Sequence, residues 1–196
     1  RSVDALLISH DHRDHCSAMG IYQRKFGVPI YVTARTFRMA TAMMSLGRME
    51  DVRHFEAGQT LRFDGVSVET IPTPHDAAEG VGFVIDDGLR RLGILTDLGH
   101  VFEGLDSAVG GLDAVILESN YDPEMLEGGP YPKWLKERIR GPEGHLSNVE
   151  AGQLLRRSAG TQLRWACLAH LSADNNSPDL ALRTCHEILG GDLPLH

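Results

Sequence analysis

The sequence predicts an α/β fold built on mixed β-sheet. Three observations carry that expectation. A short apolar run, Ala5-Leu6-Leu7-Ile8, is bounded by polar residues and reads as a buried strand. Strand-like segments then crowd the middle of the chain, from Val52 to Asp97. Helical segments with recognisable stops and caps lie on both sides of that block, an order that suits two sheets packed face to face with helices outside.

Taken in order, Cys16 to Phe26 reads as a helix stopped by Gly27, a residue suited to the left-handed end of a helix. Pro29 to Thr33 is a short strand, and Ala34 to Leu46 a second helix closed by Gly47. Val52 to Phe55, Thr60 to Phe63, Val66 to Ile71, Gly82 to Ile85 and Arg91 to Thr96 are strands. Asp64-Gly65 and Asp87-Gly88 are hairpin turns between pairs of them. Ala114 to Glu118 is a strand, and Tyr131 to Ile139 a helix after a loop rich in Pro and Gly. Ser147-Asn148-Val149-Glu150 is a capping box that opens a helix to about Ala159. Leu163 to Ala169 is a strand, and Ser177-Pro178 opens a last helix ended by Gly190.

At 196 residues the chain fits one domain, 1–196, that buries roughly 70% of its unfolded surface. No apolar run approaches the length of a membrane span. Its three cysteines, Cys16, Cys167 and Cys185, are odd in number and widely spaced, which suits a reducing cytoplasm better than a disulfide framework. A net charge of −8 argues against a large basic surface, so a polyanionic partner would be drawn in locally.

The chemistry is concentrated in Ser9-His10-Asp11-His12-Arg13-Asp14-His15, with the pattern H-x-H-x-D-H directly after the first strand. Divalent ions take neutral imidazole nitrogens and carboxylate oxygens. Alternate residues of an extended segment point the same way, so His10 and His12 can grip one ion together. Asp14 and His15 come one turn later and can face a second ion. Further down the chain stand Thr73-Pro74-His75-Asp76, Leu95-Thr96-Asp97-Leu98 and Leu168-Ala169-His170-Leu171, each at or just after the end of a strand-like segment.

These motifs, in this order, resemble those of the metallo-β-lactamase fold superfamily of metallo-hydrolases. Glu118-Ser119-Asn120-Tyr121-Asp122, Gly144-His145-Leu146-Ser147-Asn148 and His170-Leu171-Ser172-Ala173-Asp174-Asn175-Asn176 resemble a narrower bacterial group, the YycJ/WalJ-type proteins, regarded as DNA-processing metallo-hydrolases. The resemblance implies an αββα sandwich of four layers. It also implies a leading segment of about fifty residues that this chain does not include, so an incomplete first sheet is expected. An exposed sheet edge there would favour pairing between copies, hence a possible homodimer.

Carried over position by position, the resemblance assigns His10, His12 and His75 to a first metal. Asp14, His15 and His170 fall to a second, and Asp97 bridges the two. The ions would be Zn²⁺ or Mn²⁺, with iron as a third option. Asp at the bridging position, rather than Cys, resembles the phosphodiesterases and glyoxalase-type enzymes of the fold. His145 would bind the scissile phosphate or protonate the leaving oxygen beside the N–H groups of a helix start, so Asp14, Asp97 and His145 are the expected catalytic residues. The implied activity is that of a binuclear phosphodiesterase acting on DNA or RNA, with a metal-bridging hydroxide as nucleophile and no membrane partner. Two other functions stay open: thioester or lactone hydrolysis by the same centre, and a non-catalytic metal-binding fragment.

Asp76, Glu118 and Asn120 either orient the ligand imidazoles or supply ordinary loop polarity. His54, His100, His186 and His196 match no motif and read as structural or exposed. Cys16 beside His15 reads as a small buried thiol. The stretch Tyr131 to Arg140 mixes aromatic and basic residues, as a nucleic-acid clamp does and as an amphipathic surface helix also does.

Overall fold

In the computed structural model, which describes residues 3–158, 162–191 and 193–196, two sheets stack between two layers of helix. The first sheet has three parallel strands in the order β1 (Leu6–Leu7), β2 (Ile30–Thr33) and β3 (Val52–Phe55). Between β1 and β2 lie the short helices α1 (Arg13–Cys16) and α2 (Met19–Phe26), and between β2 and β3 lies α3 (Ala34–Met43). The second sheet has six strands in sequence order: β4 (Thr60–Phe63), β5 (Val66–Pro72), β6 (Val81–Asp86), β7 (Arg91–Leu95), β8 (Ala114–Glu118) and β9 (Trp165–Ala169). Its first four strands pair antiparallel, and β7, β8 and β9 run parallel.

Period-two alternation explains the layering. On β2, Ile30 and Val32 pack with Ile8, Met19 and Ala40 under α2 and α3, whereas Tyr31 turns to the opposite face. That face meets Leu61 of β4, Val68 of β5 and Phe83 of β6, forming the sheet-on-sheet core. On the outer side of the large sheet, Leu95, Val115 and Leu117 pack against α4 (Leu105–Gly110), α7 (Asn148–Ser158) and α8 (Pro178–Leu189) through Val109, Leu154, Leu155 and Ala181. Each fully buried leucine contributes about 1.5–3 kcal/mol relative to an exposed one. Helix, sheet, sheet and helix follow one another, so the αββα arrangement is met.

Most boundaries match the sequence reading, and the exceptions have local causes. The helix expected over 16–26 is broken at Ser17-Ala18, and its first turn starts earlier, at Arg13, as His15 and Cys16 both donate back to His12 O. α3 stops at Met43 rather than Leu46, because the chain turns extended at Met44 and brings Leu46 into the core under α2. Asp64-Gly65 is the two-residue turn expected, closing the Phe63–Val66 pair. Asp87-Gly88, however, sits in a four-residue loop, where Asp87 Oδ1 accepts from the N–H groups of Leu89 and Arg90.

Two short helices were not anticipated, α4 and α5 (Pro123–Gly128). α4 starts from Gly104 with no side-chain cap and so leaves little mark in the sequence. α5 does carry a readable signal, since Asp122 caps it and Pro123 occupies its first turn. α6 (Lys133–Ile139) follows Pro132, two residues later than expected. The capping box of α7 forms as expected, with Ser147 Oγ accepting from Glu150 N and Glu150 Oε2 from Ser147 N, but the expected end at Ala159 lies outside the described residues. No helix among the described residues is long and apolar enough to cross a membrane.

Candidate metal centre

The ligand candidates converge at one rim, where strand ends from both sheets meet. His10, His12, Asp14 and His15 follow β1; His75 follows β5; Asp97 follows β7; His170 follows β9. The donor atoms of His10, His12 and His75 lie within 4.8 Å of one another, and so do those of Asp14, His15 and His170. Asp97 stands between the two sets. Its Oδ1 is 3.5 Å from His75 Nε2, 3.6 Å from His170 Nε2 and 3.8 Å from His10 Nε2, and its Oδ2 is 3.6 Å from His15 Nε2.

Hydrogen bonds from remote segments decide which nitrogen of each ring faces inward. A backbone carbonyl or a carboxylate can only accept, so the nitrogen it contacts carries the proton. His75 Nδ1 donates to Gly144 O at 2.9 Å, and His12 Nε2 to Asp76 O at 3.2 Å. The remaining nitrogens, His75 Nε2 and His12 Nδ1, then face each other across 3.2 Å. For neutral rings these are two lone pairs pointed together, repulsive unless a cation lies against both. His10 Nε2 and Asp97 Oδ2 are buried with no hydrogen-bond partner among the described residues. Orphaned buried donors and acceptors of this kind are rare and costly. The donor set therefore fits divalent metal.

The electrostatics of His10 and His75 agree. Burial, reinforced by the neighbouring imidazoles of His15, His12, His75 and His170, lowers His10 to a pKa of about 2 and keeps it a neutral donor. Burial likewise lowers His75, against the opposing pull of Asp97. Cys16 is held as a thiol, raised by burial to about 11, and lies near the carbonyls of Asp11 and His12 with its sulfur in the core under α2, so it stands apart from the donors.

Glu118, at the end of β8, ties the inner wall together. Its Oε1 accepts from His145 Nδ1 and His170 Nδ1, both at 2.8 Å, and from Asp97 N at 3.2 Å. Its Oε2 accepts from Leu98 N at 2.8 Å and Leu146 N at 3.1 Å. Burial opposes ionisation of this fully enclosed group, yet the bonds from His145 and His170 outweigh it and hold the pKa at about 2. Burial opposes protonation of His170, but its hydrogen bond to Glu118 and the charges of Asp97, Glu118 and Asp14 raise it to about 9. With its oxygens so engaged, Glu118 is a positioning carboxylate rather than a further ligand.

Asn120 completes the arrangement, its Nδ2 donating to His170 O at 2.7 Å. Asp76 contacts His12 and is paired in turn with Arg138 of α6. Of the two readings left open for Asp76, Glu118 and Asn120, the contacts favour orientation of the imidazoles. Ser9 was not singled out from the sequence, although its Oγ lies 3.1 Å from His10 Nδ1 and 3.5 Å from His15 Nδ1. Asp11 was also passed over. Its Oδ1 accepts from Ala78 N and so clamps the motif to the loop after His75.

His145 joins the cluster, its ring centroid 4.9 Å from that of His75 and 5.3 Å from that of His170. The expectation that free helix-start N–H groups lie beside it is corrected. Leu146 N and Ser147 N already donate to Glu118 and Glu150, and Asn148 N to Tyr121 O. The segment packs on the end of α6 because residue 144 is glycine: a Cβ there would stand 2.0 Å from Ile139 O. Gly99 is as confined, a Cβ meeting Pro142 O at 2.2 Å and Pro74 O at 2.4 Å. His54 and His100 contact backbone carbonyls, and His186 bonds within α8, away from the centre.

Comparison with known proteins agrees with this geometry. The family model described as the β-lactamase superfamily domain matches residues 1–170. A Bacillus anthracis protein named exodeoxyribonuclease YycJ is 31% identical over 187 residues, covering 95% of this chain and 71% of that protein. The protein named exodeoxyribonuclease WalJ from Streptococcus pneumoniae serotype 2 is 33% identical over 186 residues, 93% of this chain and 68% of its own length. Among solved structures, the metallo-β-lactamase fold protein YhfI from Bacillus subtilis superposes with a TM-score of 0.73 at 18% identity, covering 99% of this chain and 75% of its own.

Proposed function

The chain belongs to the β-lactamase superfamily, and from that premise we propose that it is a binuclear metal-dependent phosphodiesterase that cuts nucleic acid, DNA in the first place. The relatives named exodeoxyribonucleases support the substrate. The observation that carries the reading is Asp97 Oδ1 standing within 3.5–3.8 Å of His75, His10 and His170, between the two donor sets. Two divalent ions, when bound, would supply an acidified water as nucleophile and positive charge against the phosphate.

The chain's own part is binding and orientation. His10, His12 and His75 would hold the first ion, Asp14, His15 and His170 the second, with Asp97 shared between the two sets. Glu118 sets the rings of His170 and His145 by accepting their Nδ1 protons, which leaves each Nε2 for the centre. From that position the imidazolium form of His145, carrying a second proton on Nε2, would donate to a non-bridging phosphate oxygen or pass that proton to the leaving oxygen. The test is hydrolysis of single- and double-stranded DNA, RNA and a glutathione thioester by protein whose metal content has been measured. Release of nucleotides abolished by chelation and restored by Zn²⁺ or Mn²⁺ is the expected result. Turnover of the thioester alone would overturn it.

A further inference from the structure

The exposed basic side chains of this acidic protein differ in what they already bind. On α6, next to the centre, Lys133 pairs with Glu137, Arg138 with Asp76 and Arg140 with Glu127, and Lys136 donates to Glu127 O. Three of those four cations face a carboxylate. On α3 the situation is different. Arg35 and Arg38 are exposed, and neither pairs with a carboxylate among the described residues; Arg38 bonds only to Ala34 O of its own helix.

Arg35, Arg38, Met39 and Ala42 fall three and four residues apart and therefore share one face of α3. With Ala78 they line an open groove of about 300 Å³. The far wall of that groove is hydrogen-bonded to the motif that carries four of the donors. Ala78 N donates to Asp11 Oδ1, inside the His10–His15 motif, and Thr36 Oγ1 of α3 donates to Glu79 O. The loop 76–79 that carries these contacts directly follows His75.

We propose that this groove is the track along which a polynucleotide strand reaches the centre, with Arg35 and Arg38 on consecutive phosphates and Met39 and Ala42 against sugar or base. The assignment rests on the phosphodiesterase reading and names the part of the chain that recognises a long substrate. Two unpaired guanidiniums suit a polyanion, and the apolar floor beside them suits the uncharged parts of a nucleotide.

The test is binding of a fluorescent phosphorothioate 20-mer, which resists cleavage, to metal-loaded full chain over a range of salt. Replacing both residues (R35Q/R38Q) should weaken binding and reduce the magnitude of the log Kd against log salt slope by roughly 1.4, the value for two lost contacts on a single strand. Hydrolysis of the 20-mer with ordinary linkages should fall at least tenfold further than hydrolysis of bis(p-nitrophenyl) phosphate. R35K/R38K should keep the slope. An unaltered slope in R35Q/R38Q, or the same loss from K133Q/K136Q on α6, would overturn the track. Wild-type chain that binds no oligonucleotide overturns the phosphodiesterase reading with it, whereas wild-type binding with an unaltered slope overturns the track alone.

Discussion

Asp97 and His170 are the two non-glycine residues, among those described, with left-handed backbone, at φ 59° and 56°. They leave β7 and β9, the strands on either side of β8. The residues at the end of β8 hold both in place: Glu118 accepts from Asp97 N, and Asn120 donates to His170 O. Such backbone costs of order 1–3 kcal/mol where side chains are present, and it persists when surrounding contacts over-determine it. The carboxylate and the imidazole that leave these neighbouring strands stand 3.6 Å apart.

Glu118→Gln should lower metal affinity about 10–100-fold while the chain still folds, because an amide offers one acceptor where the carboxylate offers two. Competition with a chromogenic chelator measures it. Glu118→Ala should be worse, costing about 3–5 kcal/mol in urea unfolding, since two imidazoles and three backbone N–H groups lose their acceptor. Unchanged chelator competition in Glu118→Gln would remove the positioning role.

Metal content should saturate at about two ions per chain, as seven donor side chains exceed what one tetrahedral ion takes. Asp97→Ala should bring it well below two. Asp14→Ala should weaken the second ion alone, because Asp14 is 69% exposed and solvent replaces part of what it supplies. Elemental analysis of the dialysed proteins decides between one and two.

Removing the metal should lower the melting temperature. A ligand present at 100 times its Kd stabilises the folded state by about 2.7 kcal/mol. Calorimetry with and without chelator reads the shift, and equal melting curves would show that the donors hold no ion in solution.

His145→Ala should reduce phosphodiester turnover about 10²–10⁴-fold with metal content unchanged, the range for one acid–base or anion-binding group. Asp97→Ala should lose more, because it takes metal with it. Full activity of His145→Ala would withdraw its assignment.

Asp113 makes a prediction away from the centre. It accepts from Arg91 N, Arg90 Nη1 and Gln162 Nε2, and the Arg91 N–H, followed by the Arg90 guanidinium, lowers its pKa below the ordinary carboxylate value. A depressed folded-state pKa adds stability above the unfolded value of about 3.9 and loses it as pH falls through the folded one. Asp113→Asn should therefore melt below wild type at pH 7, with the gap closing as the pH drops under 4. A gap that is constant with pH would show that packing, not charge, is at work.

The sequence by itself named the residues that the fold brings together at the rim, four from one motif and three through the resemblance. Four of them stand out because one motif compresses them into six residues after a strand, Asp97 because it ends a buried apolar run where an ionisable group needs a partner, and His75 and His170 because the resemblance marks them. The Asp64-Gly65 hairpin, the capping box of α7 and the glycine stops at Gly27 and Gly190 were legible because each is a contest settled within a few residues. What only the tertiary structure decided is how the donors face. The inward nitrogen of His12 is set by Asp76 O, that of His75 by Gly144 O, and those of His145 and His170 by Glu118, partners between 27 and 69 residues away in the chain. The left-handed turns at Asp97 and His170 belong to the same class, since residue type disfavours them and only contacts from β8 hold them. Local chemistry selects which atoms can bind, and long-range hydrogen bonding selects which of them point inward.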